Sequence, residues 1–305
     1  MKILITGSTG MVGRNLVETL KNNTGHRLLT PTHKDLDLIN QEATQTYFKA
    51  HKPDIIFHCA SKVGGIQANL DEPVDFLLTN MMISMNVIHA ALEAGVERFL
   101  NLGSSCMYPR DREILREEDI LTGKLEPTNE GYAIAKNAAA CLCRYISNEY
   151  GLAYRTVIPP NLYGPYDHFD LVNSHLLPAV ILKLHLAKLK GEKIVKIWGD
   201  GQARREFLYI ADLIDFLVVM LNRIEELPNM INVGVGEDYT IDEYYEMTAK
   251  VIGYQGAFEH DFSKPVGMRK KLMDISHVKK FGWQAKIPLD EGLKNTYHYF
   301  LKIID

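Results

Sequence analysis

Cysteine is scarce in this chain, charge of either sign never forms a long block, and no long apolar run interrupts the sequence. Each shortage removes a class of protein. The four cysteines, Cys59, Cys106, Cys141 and Cys143, are too few for a disulfide scaffold in 305 residues and lack the paired C-x-x-C spacing that holds zinc. Free thiols and no metal centre are therefore expected. The formal charge is only −4, and lysines and arginines never gather in more than short groups, so nucleic acid is not an expected partner. A small anionic ligand would need no more than a local basic pocket. No apolar stretch approaches the roughly 20 residues that cross a bilayer. The chain also opens directly as a strand, without the charged-then-apolar pattern of a signal peptide. The expectation is a cytoplasmic protein with no membrane partner, large enough for about two ordinary domains or one large one.

What is present begins at the first residue. Met1-Lys-Ile-Leu-Ile-Thr6 is an apolar, β-branched run of strand length that leads into Gly7-x-x-Gly10-x-x-Gly13. Met11, Val12, Leu16, Val17 and Leu20 then recur at helical spacing. A glycine loop between a first strand and a helix presents helix-start N–H groups to a pyrophosphate. Gly7 permits the turn, Gly10 lets the backbone approach the phosphate, and Gly13 lets helix and strand pack closely.

Further along, Tyr132 and Lys136 stand four apart in Tyr132-Ala-Ile-Ala-Lys136, downstream of Ser104-Ser105-Cys106. Residues four apart share a helix face, so the ammonium can lie near the phenol. A positive neighbour favours phenolate, which is expected to lower the proton affinity of Tyr132 from its ordinary pKa of about 10. Ser104 can hydrogen-bond a carbonyl oxygen that Tyr132 protonates. A nucleotide loop, a phenol, an ammonium and a hydroxyl together make a carbonyl-reducing site. Y-x-x-x-K by itself is also common where a tyrosine packs and a lysine is solvated; the glycine loop and the serine distinguish this case.

The first half alternates apolar strands with amphipathic helices, which predicts an α/β, Rossmann-type doubly wound parallel sheet. Strands are expected at Lys2–Thr6, Arg27–Thr30, Ile55–Cys59, Arg98–Gly103 and Ala153–Ile158, and later at Arg205–Ile210 and Met230–Gly234. Helices are expected at Asn80–Ala94, from about Tyr132 to Tyr150 and from about Ser174 to Lys190, with a helix leading into a strand between Thr240 and Phe262. After Pro159-Pro160 the pattern turns irregular, as in ligand-binding loops. This predicts a dinucleotide-binding domain over 1–160 plus about 207–233, and a smaller, discontinuous α+β substrate domain over about 161–206 plus 234–305. The outer faces of the two long helices could pair in a homodimer.

Thr32-His33-Lys34 follows the second strand where an acid would bind a free ribose hydroxyl. Basic groups there suit a 2′-phosphate, so NADPH/NADP is the expected cofactor, with Asp35 nearby as the opposing signal and an exposed turn as the plain alternative. Cofactor contacts are expected from Gly7, Thr9, Gly10, Met11, Val12, Gly13, His33, Lys34, Asp37, Leu38, Ala60, Lys62, Lys136 and His175.

Ser61-Lys-Val-Gly-Gly-Ile66, Leu102-Gly-Ser-Ser-Cys-Met-Tyr-Pro109, Glu126-Pro-Thr-Asn-Glu130, Asn161-Leu-Tyr-Gly-Pro165 and Asn173-Ser-His-x-x-Pro178 are more discriminating than the glycine loop. Through them the chain resembles, over essentially its whole length, the GDP-L-fucose synthase family of extended short-chain dehydrogenase/reductases. The resemblance implies reduction of a GDP-4-keto-6-deoxy sugar by a Ser104, Tyr132 and Lys136 triad. It further implies 3,5-epimerisation by Cys106 and His175, although members can keep both residues and only reduce. From the residues alone, Cys106 would read as a small buried side chain and His175 as a helix-start residue. The resemblance also implies substrate contacts at Ser105, Asn161, Lys183, Trp198, Arg205 and Lys270 or Lys271. Trp198 alone would equally suit a core, and Arg205 an ion pair with Glu206.

The chain departs from the family at Pro160, at Trp198-Gly-Asp-Gly-Gln-Ala-Arg-Arg-Glu-Phe207, at Lys264-Pro-Val-Gly-Met-Arg-Lys-Lys271, and at Thr9 and His33, where some members carry arginine. Those changes keep a second substrate open, a GDP-4-keto-6-deoxyheptose reduced without epimerisation. An NAD-retaining 4-epimerase is a further alternative. Dehydratases of this type carry Asp-Glu after the serine or threonine, where this chain has Cys106-Met107.

Overall fold

A computed structural model describes residues 1–22, 25–171, 174–264 and 267–304. Asn173, Pro265 and Val266, from the segments singled out above, lie outside the described residues. Among the described residues the largest sheet has six parallel strands, in the order Met230–Asn232, Ala153–Ile158, Arg98–Leu102, Ile55–His58, Lys2–Thr6 and Arg27–Leu29. The central strands are buried on both faces, as their continuous apolar sequences require. The order reverses between Lys2–Thr6 and Ile55–His58, so their carboxyl ends open the crevice that α/β sheets use for ligands.

Sterics fix the first turn of that crevice. Gly7 has φ of +66°, and a Cβ there would stand 2.7 Å from the Ala60 nitrogen. A Cβ on Gly13 would come within 2.2 Å of the Gly7 oxygen. Loop, helix and third strand thus touch backbone to backbone. The second strand ends at Leu29 rather than Thr30, because Ser8 Oγ takes the Thr30 and Pro31 carbonyls that a longer strand would have used.

The helix Pro73–Glu93 is longer than expected, starts on its proline, and is long and apolar enough to cross a bilayer by length and composition alone. It packs instead against the helices Gln41–His51 and Glu130–Tyr150 and buries Asn80 and Ser84. The helix expected near Ser174 starts at Leu176, with His175 at its N-cap.

The expected strand Arg205–Ile210 is two strands, Arg204–Arg205 and Phe207–Tyr209, and Ile210 begins the helix Ile210–Met220. Glu206 is the reason for the break. Its side chain is 1% exposed and turns inward. Oε1 accepts from the Val235 and Gly236 N–H groups (2.5 and 2.9 Å), and Oε2 accepts from Met273 N–H at 2.7 Å. The carboxylate therefore joins three segments and makes no ion pair with Arg205. Burial pushes its pKa up to about 7, against the pull of the three N–H groups.

Around Glu206, the strand Lys270–Met273 runs parallel to Arg204–Arg205 and to Ile114–Leu115. Lys271 is in register with Arg205, and Lys270 with Arg204. Glu206→Ala would strand one buried and two half-buried N–H groups, and a loss of roughly 3 kcal/mol in unfolding free energy is expected. Urea titration checks this; an unchanged midpoint would refute it.

Candidate active site

Three chain segments converge beyond the carboxyl ends of Ile55–His58 and Arg98–Leu102. The first is Ser104-Ser105-Cys106, just after the strand Arg98–Leu102. Ser104 caps a short turn, its Oγ accepting from Cys106 N–H at 3.3 Å. Ser105 is buried, and its N–H donates to the Pro159 carbonyl at 3.2 Å.

The second segment is the start of the helix Glu130–Tyr150, which brings Tyr132 near Ser104 and Ser61, whose hydroxyls favour its phenolate form. Lys136, one turn on, is 4% exposed, and its Nζ donates to the Leu102 carbonyl at 2.8 Å. Its ammonium lies 5.7 Å from the centroid of the Tyr132 ring.

This geometry corrects the expected proton affinity of the phenol. Burial raises the pKa of Tyr132 well above the ordinary value and the nearby Cys106 adds to it, while the Ser61 and Ser104 hydroxyls only partly offset the rise. Lys136 is bound to a carbonyl and itself desolvated, which lowers its pKa to about 8. Below them, His58 is fully buried and pairs through Nδ1 with Thr6 Oγ1 at 2.8 Å; burial and Lys136 lower its pKa to about 3, so it is neutral.

The third segment is the turn Pro127–Asn129, capped by Glu126, whose carboxylate accepts from Thr128 N–H at 3.3 Å. It directs Asn129 Nδ2 onto Cys106 Sγ at 3.0 Å. Asn129 lies in the segment Glu126–Glu130 with no role expected for it; its place three residues before Tyr132 was the available signal. Ser61 was likewise unassigned.

Of the basic residues, the structure separates Lys271 from Lys270. Lys270 and Arg204 face Asp238, at 3.8 and 2.7 Å. One residue on, Lys271 acts electrostatically on His175, whose pKa is lowered by the surrounding protein and then by Lys271. His175 makes no capping bond through its side chain. Arg205 donates to its neighbour's carbonyl and lies within electrostatic reach of Glu126 and Cys106.

The remaining candidates are more scattered. Lys183 Nζ donates to the Lys196 carbonyl, and Asn161 Nδ2 to the Glu206 carbonyl at 3.3 Å. Trp198 is not core: it is 43% exposed at the end of its strand, with Lys264 Nζ 5.2 Å from its ring centroid.

At the glycine loop, Arg14 N–H donates to the Gly10 carbonyl at 2.8 Å, leaving the N–H groups of Met11, Val12 and Gly13 at the open helix start. Thr9 is exposed beside it. Ala60 N–H donates to Thr6 Oγ1 at 3.4 Å. Asp35 Oδ2 accepts from Thr32 N–H and Oγ1 (2.9 and 2.7 Å). His33 and Lys34 are exposed, His33 standing 3.9 Å from Asp37. The Leu38 carbonyl accepts from Asn86. Lys62, expected at the cofactor, pairs through Nζ with Glu72 and Asp75.

The buried ammonium yields a direct test. In ¹⁵N-lysine NMR, one resonance that is absent from Lys136→Arg should titrate near pH 8; a midpoint above 10 would contradict the burial described.

Residues 3–234 match the family described as NAD dependent epimerase/dehydratase. A GDP-L-colitose synthase of Yersinia pseudotuberculosis is 51% identical over 303 residues, covering 99% of this chain and 98% of its own. A GDP-L-fucose synthase of Azorhizobium caulinodans is 46% identical over 98% of this chain and 96% of its own. Among solved structures, a GDP-6-OMe-4-keto-L-xylo-heptose reductase from Campylobacter jejuni superposes with a TM-score of 0.94 at 33% identity, covering 99% of this chain and 98% of that one. A GDP-mannoheptose C4 reductase from the same organism, with NADP bound, gives 0.91 at 34% identity and 98% coverage of both. The chain belongs to the NAD dependent epimerase/dehydratase family, among its GDP-L-fucose synthase-like members.

Proposed function

We propose that this protein is an NADPH-dependent reductase of a GDP-4-keto-6-deoxy sugar that also epimerises carbons 3 and 5. The observation that carries the proposal is the convergence of Ser104, Tyr132 and Lys136 with Cys106 at the mouth of the crevice. The free N–H groups of Met11, Val12 and Gly13 suit a pyrophosphate, and exposed His33 and Lys34, with one Asp35 oxygen engaged by Thr32, suit a 2′-phosphate. NADPH, when bound, supplies the hydride for carbon 4.

Tyr132 gives its proton to the ketone oxygen. A raised pKa keeps the phenol protonated at working pH, which an acid requires. Ser104 donates a hydrogen bond to the same oxygen, and Lys136 holds the helix and the phenol in place. Cys106, oriented by Asn129, and His175 move the protons beside the ketone, whose carbonyl acidifies both C–H bonds. Burial, and then Lys271, lower the pKa of His175. Arg205 and Lys271 share one side of their paired strands and face the substrate, with Trp198 and Lys183 at the nucleotide end.

The heptose reading is favoured by the TM-score of 0.94. The higher identities, 51% and 46% against 33%, are with synthases named for GDP-L-sugars, and they favour the epimerising one.

The domain division at about 160, 207 and 233 follows from the same assignment. A cytoplasmic homodimer completes it: Val74, Leu78 and Met82 are exposed at four-residue spacing on one long helix, and Ile134 and Tyr145 on its neighbour. Sedimentation as a monomer at micromolar concentration would remove that part.

The deciding experiment is incubation with NADPH and a panel of GDP-4-keto sugars, with product stereochemistry read by NMR; no NADPH oxidation with any of them would overturn the proposal. Tyr132→Phe should lower turnover about a hundredfold or more while NADPH binding holds. Cys106→Ser should stop solvent deuterium entering positions 3 and 5 but spare hydride transfer; unchanged deuterium entry would take epimerisation away from Cys106.

A further inference from the structure

The helix Glu130–Tyr150 begins on a residue that does not cap it. Asparagine is among the residues best suited to an N-cap, where its side chain would take an unpaired N–H of the first turn. Asn129 holds that position, with φ of −148°, and makes no capping bond through its side chain. Its amide goes to another segment instead, Nδ2 donating to Cys106 Sγ at 3.0 Å.

Both ends of that contact are fixed by other bonds. On the asparagine side, Asn129 N–H donates to the Glu126 carbonyl at 3.2 Å and closes the turn Pro127–Asn129. The Glu126 carboxylate accepts from Thr128 N–H and Oγ1, at 3.3 and 3.2 Å. On the cysteine side, the turn Ser105–Met107 is held by Cys106 N–H on Ser104 Oγ. Further along the same helix, buried Asn137 donates from Nδ2 to the Met107 carbonyl at 3.1 Å. The two asparagines thus divide the work: Asn137 holds the backbone of the turn, and Asn129 touches only the sulfur.

The direction of the contact follows from the rest of the amide. Asn129 Oδ1 is buried and has no hydrogen-bond partner among the described residues. The reverse orientation would put the amide protons there, and buried N–H groups go unpaired more rarely than carbonyls. Sulfur therefore receives an N–H. Such a donor favours the thiolate over the thiol, and an amide does so without placing a cation beside the substrate.

We propose that Asn129 is a positioning residue for Cys106, whose N–H keeps the sulfur a hydrogen-bond acceptor and readies it to take the proton beside the ketone. The inference rests on the epimerising reading above and names the side chain on which that half of the chemistry depends. In the step it serves, a C–H bond next to the ketone breaks, its proton passes to Sγ, and the electron pair moves into the carbonyl as an enolate. The S–H so formed exchanges with solvent, and the carbon is reprotonated from the opposite face.

Wild type and Asn129→Ala, Asn129→Asp and Cys106→Ser are incubated in D2O with NADPH and a GDP-4-keto-6-deoxy sugar, and deuterium at positions 3 and 5 is read beside hydride at carbon 4 by NMR. Asn129→Ala gives up no capping bond. Its deuterium entry should fall by about ten- to a hundredfold, the worth of a hydrogen bond to a charged group, while hydride transfer stays within about twofold. Asn129→Asp, which replaces the donor with a charge of the thiolate's own sign, should be at least as slow. Alkylation of Cys106 by iodoacetamide, followed by peptide mass, needs no substrate and should also slow in Asn129→Ala. Deuterium entry at the wild-type rate would overturn the inference, and so would equal losses of both reactions, which would make Asn129 a structural residue. A wild-type protein that admits no deuterium would overturn the epimerising reading; alkylation then tests the contact alone, and an unchanged rate in Asn129→Ala would remove that as well.

Discussion

One buried cation orders the crevice. Lys136 donates from inside the helix Glu130–Tyr150 to the carbonyl of Leu102, the last residue of its strand, two residues before Ser104. An ammonium is costly to bury, and here the protein lowers its pKa to about 8 rather than supplying a carboxylate. The bond sets helix against strand, and therefore Tyr132 against Ser104. Neutral His58 beneath it adds no second charge to the same volume. A carboxylate in that place would have satisfied the ammonium, but it would also have drawn it away from the phenol's helix face.

Periodicity made the sheet legible, since its strands are apolar runs ending at turn residues and burial on both faces leaves no polar alternation to confuse them. Ala153–Ile158 and Lys2–Thr6 match their expected limits residue for residue. The site was legible to the extent that its residues lie near one another in sequence: Ser104 with Cys106, and Tyr132 with Lys136. What stayed hidden depends on distant pairing. Glu206 looked like a partner for Arg205, and only the fold brings the N–H groups of Val235, Gly236 and Met273 to it. The choice between Lys270 and Lys271 needed a strand register that adjacent lysines cannot reveal. The phenol's proton affinity was misjudged because a sequence shows the charge four residues away but not the desolvation that outweighs it.

Proton and charge are handled by different materials in this molecule. Around Ser61 and Cys106 the partners are the amides of Asn80 and Asn129, which direct hydrogen bonds without adding net charge. Around Glu206 the partners are backbone N–H groups, which hold a carboxylate that burial has raised to about 7. Formal charge is placed elsewhere, on Arg205 and Lys271, which the strand register sets side by side.

The strand Lys270–Met273 completes that basic row, and it comes from the last eighth of the chain while joining neighbours at Ile114–Leu115 and Arg204–Arg205. During synthesis, the glycine loop and the phenol leave the ribosome long before Lys271 does. A nascent chain can thus carry its glycine loop and phenol while Arg205 and Ile114–Leu115 still wait for the strand that pairs them.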